Sequence, residues 1–154
     1  MPIAAKAVDW ELQLGFLIHD VSRLRRSAFD RCLKPLNVTR SQWWVLAYLS
    51  REDGMTQSQL AEELDLGKVA IGGLIDRLEK SGLVRREADA NDRRVNRVFL
   101  EPQSKLLVSK MRKVSHQMNE TILRGIPETA LETSALTLKS MKHNLLEYLG
   151  VSAP

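Results

Sequence analysis

Residues 58–100 read SQLAEELDLGKVAIGGLIDRLEKSGLVRREADANDRRVNRVFL, and the order of the parts in this stretch decides the fold. Thr56-Gln57-Ser58 is followed by Leu60, Ala61 and Leu64 at helical spacing, which predicts a short helix. Asp65-Leu66-Gly67 turns the chain into a second helix over residues 68–81. Its period predicts a buried face of Ala70, Ile71, Leu74, Ile75 and Leu78, with Lys68, Val69, Gly72, Gly73, Asp76, Arg77 and Lys80 on the other side. Gly82 suits a left-handed cap. Residues 83–87 and 95–100 then read as two short strands around the polar stretch 88–94, a hairpin with a basic tip.

Working outward, Leu14, Leu17, Val21, Leu24, Ala28 and Cys32 recur at three- and four-residue steps and predict a long first helix. It should end near Lys34, because Pro35 cannot continue a hydrogen-bonded helix. Thr39 or Ser41 can cap a second helix with Trp43, Val45, Leu46 and Leu49 on its apolar side, stopping around Asp53-Gly54. After Pro102, the series Leu106, Leu107, Met111, Val114, Met118, Ile122 and Leu123 predicts another long helix, which Pro127 is expected to break. Leu131, Leu136, Leu138, Met141, Leu145, Leu146 and Leu149 mark a last one.

Composition limits what such a chain can do. With 154 residues, 44% hydrophobic and 27% charged, it can bury one sizeable core. No apolar run approaches the roughly 18 residues needed to cross a bilayer, so no membrane partner is expected. The opening MPIAAKAVDWELQ has no apolar block of the kind a secretory leader carries, and the single cysteine, Cys32, cannot form an intrachain disulfide. Together these predict a soluble protein of the cytoplasm. The net charge of +4 is uneven: −1 over residues 1–66, +3 over 67–100 and +2 over 101–154, so the basic part is the helix-and-hairpin stretch. His19, His116 and His143 are scattered without metal-ligand spacing, and no nucleophile motif, phosphate-binding glycine loop or paired carboxylates appear. Neither a metal, a cofactor nor an enzyme is expected.

A short helix, a tight turn, a second helix and an arginine-tipped hairpin form a set suited to double-stranded DNA. The second helix fits the major groove while the first braces it, and a hairpin tip can reach the adjacent minor groove, where narrow A·T segments concentrate negative potential. These residues resemble the MarR family of winged-helix regulators. The resemblance lies in the S-x-L-A-x-x-L helix at Ser58 to Leu64, the I-D-R-L-E-K-x-G-L-V block at Ile75 to Val84 and the D-R-R tip at Asp92 to Arg94.

That resemblance implies a mainly α fold with a small β-hairpin wing, in one domain over residues 1–154. It divides the chain into a winged helix-turn-helix lobe at 39–101 and a helical dimerisation region at 9–38 and 102–150, interdigitated between two subunits. It implies a ligand-responsive repressor that binds a pseudo-palindromic operator as a homodimer. Carried over by position, the DNA-contacting residues are Ser58, Lys68, Val69, Gly72, Gly73, Arg77, Arg93 and Arg94. Arg93 would enter the minor groove, and Arg94 would brace the wing against Asp76 or Asp92. The resemblance also implies an effector, a small aromatic or phenolic anion or its CoA thioester. The residues suited to holding it are His19, Arg23, Trp43, Trp44, Tyr48 and Met111, with Arg25 and Arg26 adding positive charge for a thioester. Because Trp43 and Trp44 are adjacent, at least one of them should be core.

The chain departs from the family pattern twice. Ala70, Gly72 and Gly73 stand where relatives often carry Ser, Thr or Arg, and each interior glycine costs a helix roughly 1 kcal/mol against alanine. Either the bare backbone approaches DNA more closely, leaving Lys68, Val69 and Arg77 to make contacts with Val69 against a thymine methyl, or the site reads fewer bases and leans on wing and shape. The second departure is Glu101-Pro-Gln-Ser104, where relatives often carry a Leu-Thr-x-x-Gly turn; Pro102 should stiffen the join. Cys32 lies on the apolar stripe, which favours burial over a redox role. A different class of function, a winged helix that docks another protein without specific DNA binding, uses the same fold.

Overall fold

A computed structural model describes residues 9–151, so the reading of a missing leader at residues 1–8 lies outside the described residues. The chain falls into two compact units, one up to Met118 and one from Asn119 onward.

In the first unit, helix α1 spans Trp10–Leu33. It starts ahead of the apolar series because the Asp9 carboxylate accepts from the Leu12 amide and caps it. Pro35 does not end the chain's coiling outright: a single 3-10 turn, Lys34–Leu36, follows, and Asn37 at φ 54° closes it. Helix α2 (Arg40–Arg51) is capped by Thr39, not Ser41, through a reciprocal box in which Thr39 Oγ1 accepts from the Gln42 amide and Gln42 Oε1 from the Thr39 amide. The same device, Thr56 with Gln59, starts α3 (Gln57–Glu63). Helix α4 (Lys68–Lys80) follows, and Gly82 takes the left-handed conformation at φ 68° as its cap requires. Strands β2 (Val84–Ala88) and β3 (Asn96–Leu100) form the hairpin, paired from Val84 opposite Leu100 to Ala88 opposite Asn96.

The pairing includes one strand that periodicity did not predict. Met55–Thr56, β1, pairs antiparallel with β3, so the hairpin is part of a three-stranded sheet in the order β1-β3-β2. Two residues are too few to carry a pattern, and the pairing is decided by where β3 lies. Just before β1, a Cβ on Gly54 would fall 2.6 Å from Phe99 Cε1, so the turn into this strand needs a residue without a side chain.

The core of this unit joins Phe29 and Leu33 of α1, Trp43, Val45, Leu46 and Leu49 of α2, Leu60 of α3, the inner face of α4, and Val84 and Val98 of the sheet. Phe29 and Trp43 meet edge to face, with centroids 4.9 Å apart. Helix α5 (Ser104–Ile122) adds Val108, Met111 and Met118 to the buried set. One burial expectation fails. Ala70 is exposed, because α4 presents its inner face one step further round. Leu106 is also exposed, and so are Leu14, Leu17, Val21 and Leu24 of α1 at between 41% and 57%. Their period is that of an apolar face, and that face stays exposed among the described residues.

The join into α5 does not depend on Pro102 alone. The Ser104 hydroxyl and amide both donate to the Glu101 carbonyl, the Glu101 amide donates to Leu83, and the Gln103 amide group donates to the Gly82 carbonyl. In the second unit, α5 ends at Ile122, before the expected break at Pro127. Gly125 turns the chain at φ 78°, and Pro127 stands at the start of α6 (Glu128–Tyr148). Within α6, Leu136, Leu138 and Leu145 are all exposed. No helix among the described residues is long and apolar enough to cross a membrane.

Candidate nucleic-acid interface

Helix α4 is held by one face and bare on the other. At about 100° per residue, Ile71, Leu74, Ile75 and Leu78 fall in an arc opposite Val69, and Gly73, Asp76 and Lys80 lie within about 40° of Val69 itself. The buried residues are 0–3% exposed, whereas Val69 is 91% exposed. The helix enters from Asp65, at φ 51°, and its N-cap, Gly67, offers no side-chain acceptor, so the first-turn amides keep their hydrogen-bonding capacity. Lys68, Val69 and Ala70 are exposed there, as are Ser58 on α3 and Arg77 further along α4. Gly72 and Gly73 are half-buried, not fully outward, yet neither is demanded by packing. A Cβ would lie 3.5 Å from Gln57 Nε2 at Gly72 and 3.6 Å from Arg77 Nη1 at Gly73, both ordinary contacts.

The brace between wing and helix is Arg86. From β2, its Nη1 lies 2.7 Å from Asp76 Oδ1 and 2.9 Å from Glu79 Oε2, its Nη2 donates to the Gly72 carbonyl at 3.2 Å, and its Nε donates to Gln57 Oε1 at 3.1 Å. The Arg86 amide also donates to Glu79 Oε1. One guanidinium thus ties α3, α4 and the sheet together, using the planar array of donors that only arginine offers. Of the two carboxylates proposed for Arg94, Asp76 is therefore taken by Arg86, and Arg94 pairs with Asp92. The pattern that could have revealed Arg86 was present: it lies two residues after the buried Val84, on the same face of its strand, where an arginine needs partners.

At the tip every acidic side chain is engaged. Asp89 accepts from the Asn91 and Asp92 amides and from Arg97 Nε, and Arg97 also donates to the Gly54 carbonyl. Asp92 accepts from the Arg94 amide, Nε and Nη2 at 2.9–3.0 Å. These donors hold both carboxyls below the ordinary aspartate value. The Arg97 side chain is the main cause for Asp89, and the Arg94 side chain for Asp92. Arg94 is 91% exposed and stays within the tip. Arg93, also exposed, has no hydrogen bond or ion pair among the described residues. An arginine left over when its neighbours are all paired is available to a phosphate or a groove.

The residues suggested for an effector lie in different settings. Trp43 and Met111 are core, at 7% and 1% exposure. His19 and Arg23 are exposed on α1, Arg23 beside Asp20. The Trp44 and Tyr48 rings come together, 6.2 Å apart on α2. Tyr48 also lines a shallow cavity of about 410 Å³ with Arg51, Glu52, Met55 and Glu63, none of which the sequence suggested. Burial, and then its hydrogen bond to Glu63, push the Tyr48 hydroxyl up in pKa. Cys32 is half-buried against the core. Among the described residues, no three His, Cys, Asp or Glu are placed to hold a metal ion.

Known proteins share this fold. A sequence model described as MarR family matches residues 36–95. The solved structure of the transcriptional regulator PA3341 is 32% identical, with 87% of this chain and 98% of that one covered and a TM-score of 0.79. A MarR transcriptional regulator from Methanosarcina mazei Go1 is 27% identical over 88% of this chain and 97% of that one, with a TM-score of 0.78. A MarR-family regulator from Rhodococcus sp. RHA1 is 25% identical over 89% and 96%, with a TM-score of 0.77.

Proposed function

The chain belongs to the MarR family of winged helix-turn-helix regulators and is a transcriptional regulator, not an enzyme; from that premise we propose that it is a repressor, binding a pseudo-palindromic operator as a homodimer. The observation that carries this reading is the pairing of a bare α4 face with a wing in which Arg93 has no hydrogen bond or ion pair among the described residues. Two α4 helices enter successive major grooves about one helical turn apart, with Ser58, Lys68, Val69, Gly72, Gly73 and Arg77 towards the DNA. Arg93 enters the flanking minor groove while Arg94, held by Asp92, supports it.

Residues 39–101 form the DNA-binding lobe, and 9–38 with 102–150 the dimerisation region. The exposed apolar residues of α1 and, separately, of α6 are the support for that assignment, since large exposed apolar faces mark association surfaces. A small aromatic or phenolic anion, or its CoA thioester, is the effector class that suits the exposed Trp44 ring and the half-buried Tyr48 ring with Arg51 nearby. Such a ligand acts only through its difference in affinity between DNA-competent and DNA-incompetent dimers.

Retardation of duplex DNA against salt tests the function. Neutralising Z phosphates gives a slope of log affinity on log salt near −0.9Z, about −0.9 for each contact. A flat response, or a protein that sediments as a monomer, would rule the reading out and leave a winged helix that docks another protein.

A further inference from the structure

Across the first turns of α4, the outward row is poor in hydrogen-bonding groups. Val69 stands opposite the buried face and is 91% exposed. Gly73, one turn on, has no side chain, and the Asp76 carboxylate beyond it is held 2.7 Å from Arg86. Between Lys68 and Gly73, only Lys68 has a side chain able to hydrogen-bond a base edge. A valine this exposed contributes almost nothing to folding, because its apolar surface stays in water. The major groove offers such a side chain one apolar partner, the C5 methyl of thymine.

Resting on the operator-binding reading above, we infer that Val69 is a specificity-determining residue that reads one thymine methyl in each half-site. The first turn of α4 selects its base pair by apolar contact, with Lys68 beside it supplying charge. The missing side chain at Gly73 leaves room for that approach, since a Cβ there would stand one turn along the same row. Hydrogen-bonded readout falls to Arg77 and Lys80, two turns or more from Val69.

The test uses duplexes that the full-length protein selects from a random pool. Each thymine is replaced in turn by deoxyuridine, symmetrically in the two half-sites; this keeps the pairing and the O4 acceptor and removes only the methyl. The expected result is one position per half-site where affinity falls about fourfold, or about fifteenfold for both together. Val69→Ala should bind the parent duplex more weakly and lose most of the thymine-over-uridine difference at that position. The variant replaces an exposed side chain by a better helix former, so its fold is preserved and circular dichroism checks it. Equal affinity of the wild-type protein for every uridine-substituted duplex, or an undiminished penalty in Val69→Ala, overturns the inference. If no duplex is enriched even at low ionic strength, the operator-binding reading fails as well, an outcome distinct from the other two.

Discussion

Arg86 of β2 and Asp76 of α4 are joined across the seam between wing and recognition helix, Nη1 to Oδ1 at 2.7 Å. The same guanidinium reaches Glu79, Gln57 and the Gly72 carbonyl, so the helix and the wing are set relative to each other by one side chain that is itself 21% exposed. Its removal should act on DNA binding without Arg86 touching DNA. Arg86→Met keeps the apolar stem and loses every donor. It should lower stability by about 1–2 kcal/mol in urea unfolding, the scale of a few partly solvated charge-assisted bonds. Operator affinity should fall at least tenfold at temperatures where the variant is fully folded, and Arg86→Lys should recover only part, because an ammonium cannot span four partners. Full affinity in a folded Arg86→Met would show that the wing is placed without it.

Arg93→Ala removes a side chain with no partner among the described residues, so the stability of the free protein should stay within about 0.5 kcal/mol. Binding should weaken on all duplexes, with the salt slope shallower by about 1 for each arginine withdrawn. Undiminished affinity would remove the wing from the contact.

Gly73→Ala tests the bare backbone of α4. The added Cβ finds only Arg77 Nη1, 3.6 Å away, so the free protein should gain about 1 kcal/mol from helix propensity. Operator binding should nonetheless weaken if the backbone approaches the bases closely. Unchanged binding would mean that the site reads few bases and relies on wing and DNA shape.

Acid should loosen the tip before the rest of the lobe. Asp89 and Asp92 are held below the ordinary aspartate value of 3.8 by arginine and backbone donors. A carboxyl whose folded pKa is depressed gives stability that is complete above its unfolded value and is lost as pH falls through the folded one. Amide exchange of residues 89–95 should therefore accelerate below the ordinary aspartate range while α4 stays protected. Asp89→Asn should reduce that acid dependence. A tip equally protected on both sides of this range would contradict the linkage.

Most of the architecture was legible because it depends on short-range chemistry. The α4 boundaries follow from Gly67 and Gly82, the starts of α2 and α3 from Thr39 and Thr56, and the hairpin from the polar stretch between two β-prone runs. The D-R-R tip likewise contains its own partners, since Asp92 and Arg94 are two residues apart. What escaped was set by contacts distant in sequence. β1 exists only because Met55 meets Val98, 43 residues on, and Ala70 is exposed because the rotation of α4 is fixed by the core it packs on, not by its own period.

The sequence by itself determined the family, the order of elements and the residues available at helix face and tip, since spacing, capping and turn chemistry act over a few residues. Only tertiary structure decided which of those residues are free. Folding brings Arg86 against Asp76 and Glu79, buries Trp43 and Met111 in the core, and leaves Val69 exposed and Arg93 without a hydrogen bond or ion pair among the described residues. The physical reason is that a charge or an apolar side chain becomes available for binding only when nothing in its own chain satisfies it. Which groups satisfy which is settled by packing between segments that the sequence keeps apart.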